Sequence, residues 1–139
     1  MDFQVGLKLH LPRDRHSVPL ARHLAGRALY EVGAHHSDAH DVELALAEAC
    51  TNVLTHAGPG DAYDVDVAIG PSQCVISVID LGRGFDVDNL PEKPDADAEG
   101  GRGLDIMRKL MDSVRLVTRP DGGTVVQLVK NLRFAAEAP

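Results

Sequence analysis

Aromatic side chains are scarce in this sequence: three phenylalanines, two tyrosines and no tryptophan among 139 residues. A protein that stacks nucleobases along a strand needs more rings than that. Positive charge is short as well. Fourteen Lys and Arg against 21 Asp and Glu leave a net charge of −7, the wrong sign for neutralising a phosphate backbone. Both shortages argue against direct binding of nucleic acid. No apolar run approaches the roughly 20 residues needed to cross a bilayer, and no basic-then-apolar leader opens the chain. The expectation is therefore a cytoplasmic protein without membrane contact. Only Cys50 and Cys74 represent cysteine, each among apolar neighbours, which reads as reduced core thiols rather than a disulfide or a catalytic group. Residues 1–139 are expected to form one domain, long enough to bury about two-thirds of its unfolded surface without staples.

What the sequence does contain is an unusual helix. Glu48, Asn52 and His56 recur at i, i+4 and i+8. Each four-residue step advances about 40° around a helix, so the three share one face. Val42, Ala45, Leu46, Ala49, Val53 and Ala57 fall on the opposite, apolar face. A solvated helix face more often carries alternating Lys and Glu; this one lines up an acid, an amide and an imidazole. Asn is an indifferent helix former, so its place here asks for a reason. Ordinary helices also produce such triplets, and the stripe alone does not establish a site.

The remaining elements are read from period and punctuation. Phe3 to Leu11 alternates as a half-buried strand. Ser17 is placed as an N-cap with Pro19 in the first turn of a helix that stops near Gly33. Ser37 is placed as a second N-cap, with Asp38 and Asp41 near the positive end of the long helix. His35, His36 and His40 lack an accompanying ligand and are expected to be exposed residues rather than a metal cluster. Gly58-Pro59-Gly60 ends the long helix. Tyr63 to Ile69 and Cys74 to Ile79 pair as strands, and Val114–Thr118 and Thr124–Leu132 form a hairpin across Arg119-Pro120-Asp121-Gly122-Gly123. The order βααββαββ fits a two-layer α/β sandwich, a mixed and mostly antiparallel sheet with helices on one face.

Two glycine-rich stretches frame the segment between the third strand and the third helix. Asp80-Leu81-Gly82-Arg83-Gly84-Phe85 closes the strand, and Gly100-Gly101-Arg102-Gly103 opens into Leu104, Met107, Leu110 and Met111 at helical spacing. A lone Gly-x-Gly is a weak signal. Gly-rich backbone at a helix start does offer unhindered N–H donors and the positive dipole end, which suits phosphate oxygens, although a flexible loop gives the same sequence.

In this order the elements resemble the Bergerat-type ATP-binding domain shared by gyrase, heat-shock ATPase chaperones, mismatch-repair ATPases and histidine kinases. The resemblance is greatest to the small anti-sigma factor serine protein kinases and covers nearly the whole chain. Glu48-x-x-x-Asn52-x-x-x-His56 matches the N-box of that family. Asp80-x-Gly82-x-Gly84-Phe85 matches the first glycine box, Gly101-x-Gly103-Leu104 the second, and Gly123-Thr124 the closing element.

The resemblance implies ATP with magnesium as ligands and assigns roles to these positions. Asp80 would accept from the exocyclic amine of adenine, Gly82 and Gly84 would pass close to base and ribose, and Thr124 would add a hydroxyl beside the adenine. Asn52 would ligate magnesium, consistent with the preference of that ion for few protein ligands. Gly101, Arg102, Gly103 and Leu104 would hold the phosphates at the helix start. Glu48 would take the proton of the attacking hydroxyl as catalytic base. His56 would join the nucleotide site or simply cap or pack. Residues 86–99, six acids against Lys93 alone, would form the ATP lid. Some relatives carry Arg just before the second glycine box; Ala98 and Glu99 stand here, and whether Arg102 or Arg83 replaces it is left open.

A sensor kinase of this family adds a histidine-bearing hairpin, and a gyrase or chaperone ATPase adds a transducer domain. Neither is expected here, so the domain is expected to act on another protein. One expectation is a serine/threonine protein kinase that phosphorylates an anti-anti-sigma (STAS-domain) partner and otherwise sequesters a sigma factor, regulating transcription. The alternative is a regulatory module that docks partners in a nucleotide-dependent way without transfer. Close relatives form homodimers, which the resemblance extends to this chain.

Overall fold

Alternation along the strands sorts side chains onto two faces, and one face carries the core. The computed structural model describes residues 3–56, 60–80, 101–118, 120 and 123–134. Its elements are β1 (Val5–Pro12), α1 (Ser17–Glu31), α2 (His36–His56), β2 (Ala62–Ile69), β3 (Gln73–Asp80), α3 (Gly101–Leu110), β4 (Ser113–Thr118) and β5 (Thr124–Asn131). The five strands form one sheet in the order β1-β2-β3-β5-β4. Every neighbouring pair is antiparallel, which sharpens the expectation of a mixed, mostly antiparallel sheet.

Tyr63, Val65, Val67 and Ile69 of β2 and Cys74, Ile76 and Val78 of β3 are buried on the helix-covered face. Against them pack Ala21, Ala25 and Leu29 of α1, and Val42, Ala45, Leu46, Ala49 and Val53 of α2, the side that helical spacing selects. Leu104 and Met107 of α3, with Met111 just beyond it, complete this layer. Burial pushes the Cys50 thiol up to about 11 and the Cys74 thiol to about 12, so both are protonated and inert near neutral pH.

Both caps expected from sequence shift by a residue or more, for local reasons. His16 holds the N-cap position of α1 without a side-chain bond to the helix it caps, and Ser17 is already helical. The Ser17 hydroxyl is taken by other partners, the Asp14 carbonyl at 2.7 Å and the Tyr63 hydroxyl at 2.6 Å. Helix α2 begins at His36, and His35 Nδ1 accepts the Ser37 N–H at 3.2 Å, so the imidazole caps where the serine was expected. The third helix also starts earlier than expected, with Gly101 and Gly103 inside its first turn rather than before it. The expected helix stop at Gly58-Pro59 lies outside the described residues.

The entry to α2 is fixed by a pair that sequence spacing does not reveal. Asp38 is 4% exposed; its Oδ2 accepts the backbone N–H of Arg133 at 2.8 Å and its Oδ1 accepts Nη2 of Arg133 at 3.0 Å. The Arg133 guanidinium holds the Asp38 carboxyl below the usual carboxylate range. A lowered folded-state value means stability present above the unfolded value of about 3.9 and lost as pH falls through the folded one. Asp38→Ala should therefore cost about 1–3 kcal/mol at neutral pH, the penalty for losing hydrogen bonds to a charged acceptor. The gap to the parent should close below about pH 4. Urea unfolding as a function of pH checks this; a gap independent of pH would contradict it.

Candidate functional site

Helix α2 places Glu48 and Asn52 on the side turned toward α3, both half-buried. The contact between the helices is close at Gly103. A Cβ at that glycine would stand 3.2 Å from Asn52 Nδ2 and 3.3 Å from both Asn52 Oδ1 and Glu48 Oε1. Any larger residue would have to push these side chains aside, so the glycine is what lets the first turn of α3 approach the acid and the amide. First-turn N–H groups lack intrahelical acceptors and carry the positive end of the dipole. An anion bound there would meet Glu48 as a neighbour of like charge, and the combination is favourable only if a cation intervenes. Asn52 supplies the neutral oxygen that a divalent cation keeping most of its waters can use.

A second carboxylate sits at the other part of the site. Asp80 closes β3 and is 4% exposed, facing the helix side of the sheet. Strand register puts it between Tyr63 of β2 and Thr124 of β5, and Thr124 is in turn opposite Thr118 of β4. A buried carboxylate flanked by a hydroxyl suits a polar, planar ligand edge better than an apolar one. The geometry therefore joins Glu48, Asn52 and Gly103 on two helices, and separately Asp80 and Thr124 on two strands. Leu104 is 5% exposed and belongs to the core beneath the α3 start, where it anchors that turn.

Both groups lie at the same end of the sheet. Arg13, just after β1, donates from Nη2 to the Val53 carbonyl at 3.0 Å and from Nη1 to the Gly60 carbonyl at 2.9 Å. The first bond satisfies a carbonyl in the last turn of α2 and the second holds Gly60 just before β2, so Arg13 ties the helix end to the strand end that pairs with Asp80. Arg13 was not singled out from sequence; an Arg following a strand carries no local signal of a helix end forty residues on. Tyr63 was read only as a strand residue, yet its buried hydroxyl, pushed well above the usual tyrosine range by desolvation, bonds Ser17 and ties β2 to α1 beside Asp80. Thr118, opposite Thr124, was likewise visible only through register.

Several expected site positions fall outside this description. Gly82, Gly84 and residues 86–99 lie outside the described residues, as do the side chains of His56 and Arg102. Gly101 is placed as the first residue of α3. No group of three or more metal-ligating side chains occurs among the described residues; His35 and His36 stack ring on ring at 4.6 Å instead. Among the described residues no helix is long and apolar enough to cross a membrane.

Known proteins resemble this chain in sequence and in fold. The serine-protein kinase RsbW of Halalkalibacterium halodurans is 31% identical over 137 residues, 91% of this chain and 83% of that protein. The serine-protein kinase RsbW of Bacillus licheniformis is 35% identical over 114 residues, 73% of this chain and 70% of that one. Among solved structures, the RsbU and RsbW domains of a Mycobacterium tuberculosis protein match with a TM-score of 0.70 at 24% identity. That match covers 95% of this chain and 35% of the solved one, so this chain spans about a third of its length. One protein chain from the SiaB–SiaC complex of Pseudomonas aeruginosa matches at 0.66 with 18% identity, over 88% of each chain, a likeness of fold. The sequence pattern of the histidine kinase-like ATPase domain matches residues 11–130, and the chain belongs to that family.

Proposed function

We propose that the chain binds ATP with magnesium and transfers the terminal phosphoryl group to a serine or threonine of an anti-anti-sigma, STAS-domain partner, and that it otherwise sequesters a sigma factor. The observation that carries this reading is the approach of Gly103 to Asn52 and Glu48, which sets unhindered N–H donors beside an amide and a carboxylate. Family membership supports the use of ATP, and the serine-protein kinases among the relatives support transfer to protein.

Asp80 and Thr124 would take the adenine, the carboxylate accepting from its exocyclic amine. The first turn of α3 would hold the phosphate oxygens by N–H groups. Asn52 would ligate magnesium, which when bound neutralises phosphate charge. The partner hydroxyl would then form a bond to the terminal phosphorus as the bond from that phosphorus to the ADP oxygen breaks, with the hydroxyl proton passing to Glu48. Positioning and charge neutralisation do most of the work in such a transfer.

A second reading, nucleotide-dependent docking without transfer, is favoured by Ala98 and Glu99, which stand where some relatives carry an arginine for the terminal phosphate. Incubation with radiolabelled ATP, magnesium and STAS-domain proteins from the same genome separates the two. Label on a STAS protein supports the kinase. Nucleotide-dependent complex formation without label supports the docking module.

A further inference from the structure

Lys130 is a largely buried cation on β5, its side chain only 13% exposed, and it touches two helices. Its ammonium donates to Asp41 Oδ2 on α2 at 2.9 Å and to the Leu110 carbonyl, at the last residue of α3, at 2.7 Å. Other bonds fasten the end of α3 to the sheet: the Asp112 N–H donates to the Val129 carbonyl at 2.8 Å, and Asp112 Oδ2 accepts the Asn131 N–H at 2.6 Å. Those bonds reach β5 and no further. Lys130 alone in this group extends to α2.

The place where it reaches α2 matters. Asp41 lies within about 20° of Glu48 and of Asn52 around the helix, so the three form one stripe facing α3. The same number of residues separates Asp41 from Glu48 as separates Gly103 from Leu110. The helices thus run past one another antiparallel and in contact, with Gly103 against Glu48 and Asn52 near one end and the Lys130 ammonium bridging them about two turns away.

We propose that Lys130 is a positioning residue for the phosphate end of the site: by joining the C-terminus of α3 to Asp41 it sets how far the first turn of α3 stands from Glu48 and Asn52. This deepens the nucleotide reading above and rests on it. A cation at a helix C-terminus also complements the dipole, and that contribution alone would make Lys130 structural. The two roles differ in what they move. A structural role lowers the melting temperature and leaves a folded variant with the parent's nucleotide preference. A positioning role changes the terminal phosphate selectively, because Asp80 and Thr124 on the sheet are untouched.

The test compares the parent chain with Lys130→Met and Lys130→Arg, using calorimetric titration with ATP and with ADP in magnesium and a melting curve for each. In Lys130→Met the affinity for ATP relative to ADP should fall about tenfold, with the larger loss on ATP. Where transfer is observed, the turnover number should fall more than KM for ATP rises. Lys130→Arg, which keeps a donor cation, should recover most of the ratio. A folded Lys130→Met with the parent's ATP-to-ADP ratio overturns the proposal. Asp41→Ala, which removes the acceptor on α2 and leaves the bond to the Leu110 carbonyl, serves if Lys130→Met does not fold, and an unchanged ratio there overturns it equally. A folded parent that binds neither nucleotide overturns the nucleotide reading, and this inference with it.

Discussion

Glu48→Gln is expected to keep nucleotide and lose phosphoryl transfer by about 10²–10⁴-fold, the usual contribution of a positioned general base. The amide matches the carboxylate in shape, so the packing of Gly103 against Glu48 Oε1 and the Asn52 amide should survive. It cannot take up the proton of the partner hydroxyl. Removing a negative charge beside bound phosphate should, if anything, tighten ATP, so the signature is a split: affinity held or improved, transfer gone. Titration with ATP and a single-turnover assay on the same preparation measure both. Parental transfer by Glu48→Gln would remove Glu48 from the role of base and leave the remainder of the site standing.

Asp80→Asn should weaken ATP by roughly ten- to a hundredfold, the range for losing a hydrogen bond to a charged acceptor, about 1.5–3 kcal/mol. Asp80 is 4% exposed, so little water competes for its oxygens. Asn keeps one oxygen but adds an NH₂ that faces the amine of the base donor to donor. Thr124, opposite Asp80 across the ladder, has a single hydroxyl and cannot replace a carboxylate. ADP should weaken in parallel, since both nucleotides share the adenine, unlike the selective effect expected at Lys130. A dissociation constant within twofold of the parent, in a variant with an unchanged melting temperature, would contradict the assignment.

The stripe on α2 was legible because everything it needs is local. Periodicity fixes which residues share a face, and the residue types carry the chemistry; Glu48 and Asn52 indeed face α3 while Val42, Ala45, Leu46, Ala49 and Val53 are buried. The β4–β5 hairpin was legible for the same reason. That β5, not β4, lies against β3 was not, because the pairing of strands distant in sequence depends on which apolar faces meet across the core. The juxtaposition of Asp80 with Thr124 follows from that choice alone. Gly101 and Gly103 read as loop since glycine is a poor helix former, but packing against α2 overrides a propensity of that size. The cap positions moved because Tyr63 and His35 compete for the groups involved. Asp38–Arg133 and Asp41–Lys130, 95 and 89 residues apart, left no trace in local pattern.

Binding of ATP is the claim on which the mechanism, the role of Lys130 and the partner proposal all depend. Calorimetric titration of the folded chain with ATP in magnesium tests it most directly. The expected result is saturable heat from a single nucleotide per chain, weakened in Asp80→Asn and retained in Glu48→Gln. A flat titration from protein at high concentration, with its cooperative melting transition intact, would contradict it.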